Sequence, residues 1–156
     1  MQSSSDTHSD DTHNRRKRVI EALSKARIDE LAPVWEQVDP KPRVQLLRGP
    51  EVGMVMVRGR IGGGGDPFNF GEVTVARATV QIDAGVIGHG QALGTDKEKV
   101  RLAAIFDALW QMPVHHDTVE ALADAVAARC KAEDGRRAAE TAATRVDFFT
   151  MVRGDD

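Results

Sequence analysis

Apolar and polar positions change period twice along this chain. Val19, Ile20, Leu23 and Ala26 fall at helical spacing, so a short amphipathic helix is expected over Arg15–Ala26. A second helix is expected from Asp29 to Val38, with Asp29 as its N-cap and Asp39-Pro40-Lys41-Pro42 as its stop. The period then shortens to two. Arg43–Arg48 and Val52–Arg60 read as strands parted by the turn residues Gly49-Pro50-Glu51, and Val73–Ile82 and Val86–Leu93 read as two more, joined by Asp83-Ala84-Gly85. Such short connections favour an antiparallel meander, because a parallel crossover needs about a dozen residues or more. Helical spacing returns at Leu102, Ile105, Leu109 and Met112, behind a capping box of Thr95 and Glu98 and ahead of Pro113. An Ala-rich helix is expected from Asp117 to about Thr144, weakest at Asp134-Gly135, and Val146–Val152 alternates as a last strand. The expected fold class is α+β, a small antiparallel sheet of about four or five strands covered by N- and C-terminal helices. Residues 1–14 are mostly Ser, Asp, Thr and His with almost nothing to bury, so they read as a disordered polar tail ahead of a single domain over 15–156.

Composition narrows the partners. The 156 residues are 41% hydrophobic and 29% charged, ordinary for a globular chain, and only 4% are aromatic, so Ala, Val, Leu and Met must fill the core. A net charge of -3 gives no reason to expect nucleic acid or an anionic membrane as the main partner. Cys130 is the single cysteine, which rules out an intramolecular disulfide and fits a reducing cytoplasm. The start of the chain lacks the basic-then-apolar layout of a secretory signal, and no apolar run approaches the roughly 20 residues of a membrane span, so a cytoplasmic location is expected.

Candidate chemistry is sparse. Gly62, Gly63, Gly64 and Gly65 follow Arg58 and Arg60, two arginines whose period-2 spacing puts them on one face of their strand. The group reads either as an anion site, with glycine N–H donors turned to phosphate oxygens, or as a hairpin loop with two solvated arginines. It is not a P-loop, since no Gly-Lys-Ser/Thr follows. Gly88-His-Gly-Gln-Ala-Leu-Gly94 fails the dinucleotide fingerprint because Leu93 stands where the third glycine belongs, and its glycines read instead as close backbone packing. His89 has no recognisable catalytic companion. His115-His116 reads as a helix-linking loop, since adjacent histidines rarely aim at one ion. Arg15-Arg-Lys-Arg18 reads as a solvated helix end and Cys130 as a core filler. No catalytic residue and no metal ligand is assigned.

The C-terminal run differs. Val146, Phe148, Thr150 and Val152 alternate with Asp147, Phe149, Met151 and Arg153, so two adjacent phenylalanines demand burial on opposite faces. The strand either completes this chain's own sheet or inserts into a partner. Thr144-Arg-Val-Asp-Phe-Phe-Thr-Met-Val-Arg-Gly-Asp155 closely resembles the ending of the PhnG family, a subunit of the bacterial carbon–phosphorus lyase system. Arg60–Gly65, Gly71–Val80, Gly90–Asp96 and Phe106–Leu109 are similar to that family in the same order. The resemblance implies a subunit that joins PhnI chiefly, together with PhnH, PhnJ and the ATPase-like PhnL, and that supports displacement of adenine from ATP by a phosphonate to give a ribose 1-phosphonate 5-triphosphate. It places the nucleosidase chemistry on PhnI and the iron–sulfur cluster on PhnJ. ATP would be a substrate of the complex, with no cofactor held by this chain alone. Arg145, Asp147, Phe148, Phe149, Met151, Arg153 and Asp155 are the expected interface residues. Arg58, Arg60 and Gly62–Gly65 are the alternative contribution, to a shared anion-binding active site.

Overall fold

A computed structural model describes residues 4–60, 64–83 and 85–143, with side chains from residue 11 onward. In order these are α1 (Ser4–Lys25), α2 (Ile28–Gln37), β1 (Val44–Arg60), β2 (Pro67–Ile82), β3 (Val86–Leu93), α3 (Lys97–Trp110) and α4 (His116–Ala143). The sheet is an antiparallel meander in the order β1-β2-β3, and the helices flank it, as the α+β expectation has it. Among the described residues there are three strands rather than four or five. The expected last strand, Val146–Val152, lies outside the described residues.

The lower count has a physical cause. Gly49-Pro50-Glu51, read as a turn, is an irregularity inside one long strand. Pairing with β2 shifts register between Leu46 and Arg48 and again between Arg48 and Glu51, then resumes with Val52 opposite Ala76. Gly49 sits at φ 68, and an added Cβ would stand 2.6 Å from the Arg77 carbonyl oxygen, so glycine is required there. Pro50 follows with no N–H to donate, which is tolerable at a bulge in a strand that is at the edge among the described residues.

Helix boundaries also differ. α1 begins at Ser4, ahead of the expected Arg15 start, so the polar segment read as a disordered tail lies largely within this helix. Propagation adds a hydrogen bond per residue once the packed turns around Val19 and Leu23 are formed. α2 is capped at Arg27, whose backbone N–H donates to Glu30 Oε2 at 2.8 Å, instead of at Asp29. α3 is capped by Asp96, which accepts from the Lys99 N–H at 2.9 Å, instead of by Thr95, and Glu98 pairs with Arg101. α4 runs unbroken through Asp134-Gly135. No helix among the described residues is long and apolar enough to cross a membrane.

The core forms around α3, which is buried from Leu102 through Trp110. On β2, Ala76, Ala78, Val80 and Ile82 turn to α3, while Arg77, Thr79 and Gln81 turn to the opposite, outer face. On β3, Gly88 and Gly90 meet α3 so closely that an added Cβ would stand 2.0 Å from the Ala104 carbonyl oxygen and 2.1 Å from that of Val100. These glycines set the spacing between helix and sheet, in agreement with their reading as close backbone packing. Leu102, Ile105, Phe106 and Leu109 are fully buried, each contributing about 1.5–3 kcal/mol through loss of apolar surface from water.

β1 and β2 outrun β3. β3 pairs with β2 only between Val75 and Ile82, whereas β1 and β2 stay paired out to Arg60 opposite Pro67. The overhang is a two-stranded arm with Met54, Met56 and Phe70 at 69%, 54% and 77% exposure. Register puts Met54 opposite Thr74 and Met56 opposite Glu72, on the face that farther down the sheet is covered by α3. Phe68 and Phe70 meet edge to face near the tip, with ring centroids 6.3 Å apart.

Candidate functional site

Three arginines of the run Arg15–Arg18 reach carboxylates on α3 and α4, while Lys17 is exposed. Arg16 donates through Nε and Nη2 to the two carboxylate oxygens of Asp107 at 3.0 and 2.9 Å. Asp107, on α3, is fully buried, and its Oδ2 also accepts from the His89 backbone N–H at 2.8 Å. Among the described residues β3 is an edge strand, so this carboxylate satisfies a donor that no described strand meets. Gln111 Nε2 serves the same edge, donating to the Ile87 carbonyl at 2.8 Å and to that of Asp107 at 3.0 Å. The hydrogen bond to Asp107 raises Arg16 above the usual arginine value in spite of partial burial. Arg15 and Arg18 pair with Glu120, and Arg18 also reaches Asp124 at 3.0 Å. Burial pushes Glu120 up, but the Trp110 indole N–H at 2.9 Å and the charges of Arg18 and Arg15 outweigh it and hold the group below the usual range. The basic cluster read as a solvated helix end does stay about half in water at Arg15 and Arg18, and three of its arginines also form an ion-pair ladder joining α1 to α3 and α4.

The outer face of the sheet carries polar rows. Register lines up Arg48, Thr79 and His89 in one row and Glu51, Arg77 and Gln91 in the next. Thr79 Oγ1 lies 3.2 Å from His89 Nδ1. Glu51 Oε1 accepts from Arg77 Nε at 2.6 Å and from Arg48 Nε at 2.8 Å. The hydrogen bond from Arg77, with the charge and hydrogen bond of Arg48, holds Glu51 below the usual carboxylate range. A hollow of about 220 Å³ lies between these rows and Ile20 of α1, and an open depression of about 660 Å³ adjoins it across Thr79 and His89.

The site residues expected from the sequence are placed elsewhere. Arg58 stands opposite Asn69 and Arg60 opposite Pro67 at the end of the arm, roughly 26 and 33 Å along the strand from Arg77 at about 3.3 Å per residue. Arg60 Nη1 donates to the Gly65 carbonyl at 3.3 Å, tying the arginine to its own loop. Gly62 and Gly63 lie outside the described residues, and a Cβ on Gly64 would meet nothing within 4 Å. Arg145, Asp147, Phe148, Phe149, Met151, Arg153 and Asp155 also lie outside the described residues. His115 is buried in the link between α3 and α4, while His116 Nδ1 is 2.8 Å from the Trp110 carbonyl oxygen and its ring packs on that indole at 4.8 Å, so the pair does not converge. Cys130 is half-buried against the core.

Sequence reasoning missed the two polar rows and Asp107. The signal for Asp107 was an acidic residue inside the apolar stripe of α3, between Ile105 and Leu109. The signal for the rows was the alternation Arg77, Thr79, Gln81, whose partners on β1 become legible only with the bulged register.

The sequence profile described as phosphonate metabolism protein PhnG matches residues 14–154. The chain is 61% identical over 142 residues to the alpha-D-ribose 1-methylphosphonate 5-triphosphate synthase subunit PhnG of Rhizobium meliloti (strain 1021), with 91% of each chain covered.

Proposed function

The chain belongs to the PhnG family of phosphonate metabolism proteins, and from that premise we propose that it is a subunit of a ribose 1-methylphosphonate 5-triphosphate synthase, acting by docking rather than by chemistry of its own. The observation that carries this is the 61% identity across 91% of both chains, too extensive to be confined to one motif. The arm supports it physically. Met54, Met56 and Phe70 are large apolar groups held out on two strands, and exposed apolar groups gathered on one arm suit an interaction surface. In this reading the arm and the run Arg145–Asp155 are two docking elements. The main neighbour is PhnI, with PhnH, PhnJ and a PhnL-like subunit in the same assembly, and ATP is the nucleotide from which a phosphonate displaces adenine. The place of work is the cytoplasm.

The test is replacement. In a bacterium that uses methylphosphonate as its phosphorus source, the resident subunit is deleted and this chain supplied instead. Restored growth, with the chain recovered among the other synthase subunits, is the expected result. A folded chain that restores no growth and is recovered alone would sink the proposal.

A further inference from the structure

The outer-face hollow holds more donors than its own partners use. Glu51 takes only the Nε of Arg48 and of Arg77. The Nη groups of both guanidiniums have no partner among the described residues, and neither do His89 Nε2 and the Gln91 amide. Two guanidiniums against one carboxylate leave one net positive charge here, whereas across Thr79 and His89 the Arg16 charge is matched by Asp107. Glu51 thus holds both forks by their inner nitrogens while the outer ones stay available. Arginine forks pair with carboxylates and phosphates alike, and a phosphorus oxyanion, with three acceptor oxygens, can take the outer nitrogens of both forks at once.

Size limits the ligand. At about 220 Å³ the hollow is below the roughly 300 Å³ at which small-molecule pockets begin, so it fits one tetrahedral group and not a whole nucleotide. Anything attached to that group has room in the adjoining depression beyond Thr79 and His89.

We propose that Arg48, Arg77, Thr79, His89 and Gln91 form a binding site for a tetrahedral phosphorus oxyanion, presented either free or as the end of a polyphosphate. The site is distinct from the Arg58, Arg60 and glycine-loop arrangement at the arm tip. It does not depend on the subunit reading, because binding is measured on the full chain itself, without any synthase activity.

The full chain is titrated at constant ionic strength with inorganic phosphate, methylphosphonate and ATP in separate calorimetric runs. Binding of at least one probe is expected, and Arg77→Ala and Arg48→Ala should each weaken it by about tenfold or more with an unchanged melting temperature. Arg77→Lys should restore part of the loss, since it returns the charge without the fork. Equal binding of phosphate and methylphosphonate with none of ATP assigns a free oxyanion; tighter ATP assigns the polyphosphate end. Thr79→Val, which removes the hydroxyl that meets His89 Nδ1 without touching charge, should also weaken binding and gives a second reading should an arginine variant fail to fold. No binding of any probe, or wild-type affinity in a folded Arg48→Ala/Arg77→Ala double variant, overturns the proposal.

Discussion

Asp107 and Arg16 meet through both oxygens of one carboxylate and two nitrogens of one guanidinium, at 3.0 and 2.9 Å, and this pair fastens the N-terminal helix to the central one. Because Asp107 Oδ2 also takes the His89 N–H, the same carboxylate fixes β3, the strand that carries His89. Asp107→Ala should cost about 3 kcal/mol, the low end for a broken buried pair, since Arg16 keeps about a third of its exposure and can regain water. Urea denaturation measures it. A loss under about 1 kcal/mol would mean that water replaces the carboxylate with little penalty.

Gly88→Ala tests the layer spacing. The new methyl would stand 2.0 Å from the Ala104 carbonyl oxygen and 2.6 Å from the Ala108 nitrogen, both backbone atoms, so helix or strand must move. A loss of about 3 kcal/mol or more is expected, at the upper end for overpacking. Gly53→Ala is the control, because a Cβ there meets nothing within 4 Å, and it should be neutral or stabilising by about 0.5–1 kcal/mol. Equal effects of the two changes would refute the packing role.

Acid should loosen the helical layer. Glu30 is held below its usual 4.5 chiefly by the hydrogen bond from Arg129, and Glu98 by that from Arg101. A carboxylate whose folded value is depressed adds stability that is complete above the unfolded value and disappears as pH falls through the folded one. Stability is therefore expected to be level above about pH 5 and to decline below about 4.5. Glu30→Gln should flatten that decline while lowering stability at neutral pH, read from denaturation midpoints between pH 3 and 7. An unaltered acid slope would show that Glu30 is not a contributor.

Met54→Lys together with Phe70→Lys tests the arm. Both side chains are mostly in water in the chain alone, so its stability should change by no more than about 0.5 kcal/mol. Recovery with the other synthase subunits should fall sharply. Undiminished recovery would remove the arm from the interface.

How far the sequence spoke depended on whether a signal was local. The bounds of β3 came out as Val86–Leu93 because strict alternation, with glycine on the buried face, leaves one reading. The division of β1 failed because Gly-Pro marks turns and bulges alike, and only the partner strand distinguishes them. Thr95 and Asp96 are both able N-caps, and the choice between them rests on backbone angles that composition does not reveal. The ion pairs of Arg15–Arg18 were illegible because their acceptors, Asp107, Glu120 and Asp124, lie about 90 residues or more away along the chain. For the same reason the outer-face site was invisible: Arg48, Arg77 and His89 come from three strands, and the two bulges in β1 set which residues share a row.

The arm also bears on how the chain must be made. Among the described residues β1 is a long edge strand with Met54 and Met56 in water, a ready template for another copy of itself and so a seed for aggregation. Synthesis in excess of a covering partner should therefore give inclusion bodies or rapid proteolysis, while matched co-expression should give clear lysate. A cell that needs this chain has reason to produce it in step with whatever caps that edge.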